Sequence, residues 1–173
     1  MRSRALLLLA TIPAIVMAIP AWSSTFLMPA AQLKRVSSGF GPRSDGFHPG
    51  VDLSAPFGSP VRAAAAGTVV FAGRYAGYGN MVDVRGRDGV VTRYAHLSAI
   101  NARVRPGRSV TAGQPIGAVG MTGNTSGAHL HFEVRVGGRL TDPARFLAGG
   151  LEKAAPRARA RLAQSSAVIP TRR

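Results

Sequence analysis

The sequence has no cysteine among its 173 residues, and only 4 of them are histidine. The lack of cysteine excludes a disulfide scaffold, a cysteine-based zinc site and a lipid-modified N-terminal cysteine. Acidic residues are also few, since 7 Asp and Glu stand against 22 Lys and Arg, giving a formal net charge of +15. A strongly basic chain favours an anionic partner, either a nucleic acid or a polymer of the cell envelope.

The N-terminal segment, residues 1–23, has no acidic residue and carries Arg2 and Arg4 ahead of an apolar run, Ala5–Ile19. It ends in "AWS", which offers the small residues that a signal peptidase recognises. This pattern is typical of a secretory signal peptide, so we expect export to the periplasm or cell envelope. The alternative is an uncleaved anchor, the one case in which a membrane partner is expected. Pro13 in the run and Pro20 directly after it argue against the continuous helix that an anchor needs.

Short β-type runs bounded by glycine fill the middle of the chain, residues 36–147, after a short lead-in at residues 24–35. Examples are "GTVVFAG" and "NMVDVRG", and no stretch shows helical periodicity. Asp88-Gly89 lies between two such runs and predicts a hairpin turn. We therefore predict an all-β domain with a small antiparallel sheet or sandwich as its core.

The C-terminal segment, residues 148–173, is rich in Ala and Arg and contains Pro156 and Pro170. We expect a mostly disordered basic tail that could bind anionic envelope polymers. A nucleic-acid partner is not expected, because no nucleic-acid-binding motif accompanies the charge and the N-terminus predicts export.

The segment "AHLHFEVRV" contains half of the histidines. Side chains alternate between the two faces of a strand, so His129, His131 and Glu133 share one face while Leu130 and Phe132 lie on the other, which should be core. The two imidazoles then lie about 7 Å apart along the strand and can reach one small site.

A second candidate pair is found in "HPGVD", where His48 and Asp52 are separated by a turn at Pro49-Gly50. A neutral imidazole and a carboxylate are both good zinc ligands. The fourth histidine, His96, ends the run "VVTRYAH", and nothing in the local pattern decides where it points.

Several motifs occur in a characteristic order: "SGFGPR", "HPGVDLSAPFGSPVRAAAAGTVV", "GYGNMVDV", "TRYAHLS", "VTAGQPIGAVGMTGNTSGAHLHFEV" and "DPARFL". With these motifs, the chain from about Ser38 to Leu147 resembles the lysostaphin-type, or LytM-like, zinc metallopeptidases, which cut peptidoglycan cross-bridges. The resemblance implies the duplicated hybrid motif fold, with a groove that holds one zinc ion per chain, and it implies peptidoglycan as the substrate.

Carried over to this sequence, the resemblance implies that His48, Asp52 and His131 bind zinc and that His96 and His129 are catalytic. Hydrolysis would use a zinc-activated water and these two histidines. We favour His129 as the general base, because the strand holds it beside His131. The resulting hypothesis is an exported zinc metalloendopeptidase that hydrolyses the peptide cross-links of peptidoglycan.

Three further residues are weaker candidates. Arg43 and Asn80 fall in family motifs and could line the substrate groove, or they could be a surface arginine and a turn residue. Glu133 could hydrogen-bond to a metal-binding histidine and orient it, or it could only pair with an arginine. The segment "RSDGFHPG" is short, which predicts a low groove wall there.

Two other function classes deserve comparison. Some members of the family have lost the metal ligands and act as non-catalytic activators of cell-wall amidases, whereas all the expected ligands are present here.

The segment "VTAGQPIGAVG" is similar to turns in biotinyl- and lipoyl-type carrier domains. A carrier needs a lysine on an exposed turn, and the two lysines, Lys34 and Lys153, lie outside the central domain.

Overall fold

The computed structural model describes residues 26–44, 46–87 and 89–147. The predicted signal peptide and basic tail lie outside these residues, as does Asp88 of the predicted turn. The described part of the chain forms twelve strands and two short 3₁₀ helices. The strands are β1 Arg35–Ser38, β2 Gly41–Arg43, β3 Gly46–His48, β4 Val51–Ser54, β5 Pro60–Arg62, β6 Gly67–Tyr75, β7 Gly79–Arg85, β8 Val91–Ile100, β9 Ser109–Val110, β10 Pro115–Val119, β11 His129–Val136 and β12 Arg139–Thr141, and the 3₁₀ helices are Ala76–Tyr78 and Pro143–Arg145.

The main sheet has the strand order β1-β4-β11-β8-β7-β6-β9, and β12 pairs with the free part of β11. Strand β10 pairs with β5 and with the second half of β8, while β2 and β3 form a separate hairpin. All of the pairings between the described strands are antiparallel. The predicted all-β class is confirmed. Among the described residues no helix has the length and apolar character needed to cross a membrane.

The core lies on the apolar face of β11, as the alternation in "AHLHFEVRV" predicts. Leu130, Phe132 and Val134 are fully buried. The ring of Phe132 lies 5.3 Å from that of Tyr94 on β8. Each such large side chain contributes roughly 1.5–3 kcal/mol through burial of its apolar surface. Strand β11 is therefore fixed by its apolar face while its polar face remains available for chemistry.

The predicted hairpin joins β7 and β8, and Arg85 is paired with Val91. The amide of Gly86 donates to the carbonyl of Val90 at 2.8 Å and closes the turn. Gly89 has φ 72°, a left-handed conformation that glycine adopts without a steric penalty. The β7–β8 connection is thus a tight turn that sets the register of both strands.

The described N-terminal residues pack on the domain. Phe26 stacks on Phe146 at 5.2 Å, and Ala30 is buried and bridges to Val61 of β5. Both ends of the described chain therefore meet at one place on the domain surface.

Candidate metal centre and active site

Three side chains from different elements converge on one point. His48 Nε2 lies 3.1 Å from Asp52 Oδ1 and 3.1 Å from His131 Nδ1, and His131 Nδ1 lies 2.9 Å from the same carboxylate oxygen. His48 and His131 are buried, while Asp52 is half-buried. Two imidazole nitrogens and one carboxylate oxygen form a donor set that suits zinc and leaves a fourth tetrahedral position open. In the chemistry of its donors this site fits the expected metal.

Strand register brings these groups together. His131 is paired directly with Asp52 across β11 and β4, 79 residues apart in the chain. The chain enters β4 from His48 through Gly50, where a Cβ atom would lie 2.4 Å from the carbonyl oxygen of Phe132. Only glycine allows the two backbones to approach so closely. Gly50 therefore permits the turn that places His48 beside the β4–β11 pair.

The outer nitrogens of the two metal-site histidines donate to fixed acceptors. His48 Nδ1–H donates to the carbonyl of Gly39 at 2.6 Å, and His131 Nε2–H donates to Glu133 Oε1 at 3.1 Å. These bonds fix the tautomers, so His48 Nε2 and His131 Nδ1 present lone pairs to the shared point.

Glu133 is fully buried and accepts hydrogen bonds from several elements. Besides His131, the Tyr78 hydroxyl donates to Oε1 at 2.7 Å, and Arg135 donates to Oε2 from Nε at 3.0 Å and Nη2 at 2.8 Å. Burial by itself raises the pKa of this carboxyl, but the bonds from His131, Tyr78 and Arg135 outweigh it and lower the pKa to about 2. Glu133 therefore contacts a histidine and also pairs with an arginine.

Two histidines without a place in the donor set flank the metal-site atoms. His96 Nδ1–H donates to the carbonyl of Thr122 at 2.8 Å, and His129 Nδ1–H donates to that of Gly127, also at 2.8 Å. Their rings lie 4.9 Å apart, and the His129 Nε2 atom is 3.5 Å from Asp52 Oδ1. Each Nε2 is thus free to exchange a proton. Burial is the main cause that lowers the pKa of His96 below its ordinary value.

The direction of His96 depends on an irregularity in β8. Regular alternation would put His96 on the face of Tyr94, which is in the core. Instead His96 has φ 60°, and the β7–β8 register shifts between Asn80 and Val82, so two β8 residues oppose one residue of β7. Such a bulge redirects a side chain. A left-handed non-glycine residue costs about 1–3 kcal/mol, and here the surrounding sheet holds it in place.

The two candidate groove residues make specific contacts. Arg43 Nη2 lies 3.1 Å from Asp52 Oδ2 and also donates to the Ser38 hydroxyl. The Asn80 side chain donates to the carbonyl of Leu97 at 3.1 Å, so its amide fastens the β7–β8 bulge.

Tyr78 and Arg93 were not among the residues singled out from the sequence. The Tyr78 ring lies 5.7 Å from that of His131, and the Arg93 guanidinium lies 4.6 Å over the Tyr78 ring. Arg93 also makes a two-point bond to Asp83, at 2.9 and 2.8 Å. Asp83 and Arg93 are opposite each other in the predicted hairpin, a cross-strand charge pair that could have been found from the sequence.

Comparison with known proteins identifies the family of this chain. Residues 46–143 match the model of peptidase family M23. The chain belongs to this family. This confirms the predicted resemblance.

Two of the relatives carry names that describe different activities, one an enzyme and the other an activator. The chain is 45% identical over 115 residues to the DD-carboxypeptidase/endopeptidase Mpg of Neisseria meningitidis, a match covering 63% of this chain and 26% of the relative. It is 39% identical over 114 residues to the murein hydrolase activator NlpD of Salmonella typhimurium, covering 65% and 29%. The chain thus spans under a third of the length of these relatives.

A solved structure from the same family shares the fold. The catalytic domain of the antimicrobial peptidase lysostaphin from Staphylococcus simulans superposes with a TM-score of 0.62 at 37% identity, covering 66% of this chain and 92% of that domain. The present chain therefore aligns with nearly the whole of that domain.

Proposed function

We propose that the protein is a zinc-dependent metalloendopeptidase that hydrolyses peptide cross-links of peptidoglycan in the cell envelope. The observation that carries the proposal is the convergence of His48 Nε2, Asp52 Oδ1 and His131 Nδ1, with two histidines outside the donor set beside them. The peptidase family and the endopeptidase named among its relatives support the reaction class.

The metal would be held by His48, Asp52 and His131, one ion per chain. When bound in such a site, zinc acts as a Lewis acid towards a carbonyl oxygen and increases the acidity of a coordinated water. Glu133 and the Gly39 carbonyl keep the two imidazoles in the orientation and tautomer that binding requires.

The two remaining histidines are assigned to proton transfer and to stabilisation of the oxyanion. His129 Nε2, with its ring held by the Gly127 carbonyl, is placed to accept the proton of the attacking water and to deliver it to the leaving amine. This Nε2 atom lies 3.5 Å from Asp52 Oδ1, next to the donor set. His96, held by Thr122, faces His129 and is the group assigned to the oxyanion that develops on the scissile carbonyl.

A second candidate function is the non-catalytic activation of cell-wall amidases, which the similarity to a named murein hydrolase activator favours. An activator needs a folded groove but does not need the metal ligands. The five residues His48, Asp52, His96, His129 and His131 are all present, and this favours the enzyme.

The deciding experiment is mass spectrometry of muropeptides released from purified sacculi. We expect the zinc-loaded protein to release cleaved cross-links, a chelator to stop release, and added zinc to restore it. His131→Ala should lose both zinc and activity. His129→Ala should retain one zinc per chain while activity falls by about 10²–10⁴-fold, the range for loss of a general base.

The two functions give different outcomes with these variants. If the zinc-loaded protein leaves sacculi of several cross-link types intact but stimulates an amidase, and His131→Ala stimulates it equally, the protein is an activator. Circular dichroism of each variant separates a loss of chemistry from a loss of fold.

A further inference from the structure

Five arginines form a surface, here called the basic face, that the proposed reaction does not use. All five are exposed, and none pairs with a carboxylate among residues 26–44, 46–87 and 89–147. They are Arg85, Arg87, Arg103, Arg105 and Arg108. Unpaired surface arginines from separate segments concentrate positive potential and attract an anionic partner.

Sheet pairing brings these segments together. Thr68 of β6 is paired with Arg85 on one side and with Ser109 on the other. The loop before β9 is fastened to β6, because the Gly107 amide donates to Val69 and the Val69 amide donates to Arg108, both at 2.8 Å. The two groups of arginines are therefore separated by about two strand spacings, roughly 10 Å.

The basic face borders an apolar hollow. A cavity of about 840 Å³ is lined mainly by small apolar groups of residues 64–70 and by Val110, and Arg85 and Arg87 also line it. A second cavity of about 450 Å³ is lined by the three arginines of the neighbouring loop, and Ser109 borders both cavities. An apolar hollow lined in part by arginine matches an amphiphile with an anionic head better than it matches a purely polar polymer.

Both ends of the described chain reach this hollow. Phe26 and Phe146 line it and stack on each other. Beyond Phe146 the sequence continues into the Arg-rich residues 148–173. A further basic segment thus follows directly on the part of the domain that lines the hollow.

The candidate metal centre is built from other parts of the fold. Its ligand candidates lie on β4 and β11 and at the end of the β2–β3 hairpin. The basic face is formed by the end of β7, the turn that follows it and the loop before β9. The five arginines are therefore separate from the residues that the proposed reaction uses.

We propose that the basic face docks on a membrane surface containing anionic phospholipids, with lipid phosphates bound by the arginines. Guanidinium groups bind phosphate oxygens in a two-point geometry. Each basic residue near an anionic bilayer strengthens binding by about fivefold.

The test measures partition of the full chain onto vesicles of phosphatidylcholine alone and onto vesicles that also contain phosphatidylglycerol. The ratio of the two partition coefficients reports the charge-dependent part of vesicle binding and cancels any contribution of the apolar run. The test variant is R85Q/R103Q/R108Q, since these side chains make no hydrogen bond to the described residues. The matched control, K34Q/R35Q/R139Q, removes the same charge from exposed positions around β1 and β12, away from the basic face.

We expect the ratio to fall by about tenfold or more in R85Q/R103Q/R108Q and by much less in the control. Hydrogen exchange of the vesicle-bound wild type should show protection at residues 84–87 and 101–109. Equal losses in both variants, or an unchanged ratio in the test variant, would overturn the proposal. So would a test variant that loses affinity for double-stranded DNA while its vesicle partition stays at the wild-type value.

Discussion

At the residue scale, Glu133 connects the candidate metal centre to the rest of the sheet. Its carboxylate accepts from His131, Tyr78 and Arg135, while Arg93 lies 3.8 Å away. Asp83, Arg93 and Glu133 are paired in one row across β7, β8 and β11. A buried charge of this kind is tolerated because each carboxylate oxygen has a donor. The orientation of His131 therefore depends on groups from three strands and on Tyr78.

Glu133→Gln tests this dependence. The amide keeps the shape of the side chain but removes the negative charge that His131 Nε2–H and the Arg135 guanidinium contact. We expect zinc affinity to fall by about 10–100-fold, the usual effect of removing a carboxylate that orders a metal-binding histidine. The measurement is competition with a chromophoric chelator.

The matched control for this change is Arg135→Gln, which removes a half-buried partner of the same carboxylate without touching His131. It should weaken zinc binding less. Equal affinities of Glu133→Gln and the wild type for zinc would show that Glu133 has no part in orienting His131.

At the element scale, the close pairing of β4 with β11 determines the site. Asp52 and His131 face each other only in this register, and a slip by one residue would turn His131 to the core face. Gly50 allows this pairing, because the space for a Cβ atom is taken by the backbone of Phe132 and by the side chains of Glu133 and His131.

Gly50→Ala should therefore disturb fold and metal site together. Forcing a methyl group against a backbone oxygen costs about 1–3 kcal/mol or more, since the strand rather than a flexible side chain must move. We expect a lower thermal midpoint by calorimetry and weaker zinc binding.

Gly86→Ala is the control, because its added Cβ atom would meet its nearest neighbours at 3.6 and 3.7 Å, an ordinary contact distance. Gly86→Ala should keep wild-type zinc affinity. A Gly50→Ala protein with the thermal midpoint and zinc affinity of the wild type would contradict the role given to this close approach.

At the scale of the whole molecule, the candidate metal centre joins segments that are distant in sequence. His48 comes from the β2–β3 hairpin, which is a separate two-stranded sheet, while Asp52 and His131 belong to the main sheet. A bound ion would tie the hairpin to the main sheet. Binding to the folded state alone then increases the free energy of unfolding.

Zinc should accordingly raise the thermal midpoint of the protein. At a free concentration of about 100 times the Kd, the expected gain in the free energy of unfolding is about 2.7 kcal/mol. Differential scanning calorimetry with and without chelator measures it. His131→Ala should show no zinc-dependent change, and His129→Ala should keep the full change. A zinc-dependent rise that persists in His131→Ala would place the metal elsewhere.

Much of the fold and site could be predicted from local patterns. The alternation in "AHLHFEVRV" predicts a strand with Leu130 and Phe132 in the core and the two histidines on one polar face, and the structure has this arrangement. The turn between β7 and β8 followed from a glycine that tolerates positive φ. Such predictions succeed because side-chain alternation and turn chemistry depend on neighbouring residues.

The sequence by itself determined the all-β class, the family and the set of residues able to bind a metal. Tertiary structure alone decided the direction of His96, which follows from a bulge and a left-handed backbone against its neighbours on β7. It also decided that Tyr78 and Arg93 lie behind His131 and that Glu133 contacts both a histidine and an arginine. These arrangements depend on contacts between segments up to 55 residues apart, for which a local pattern contains no information.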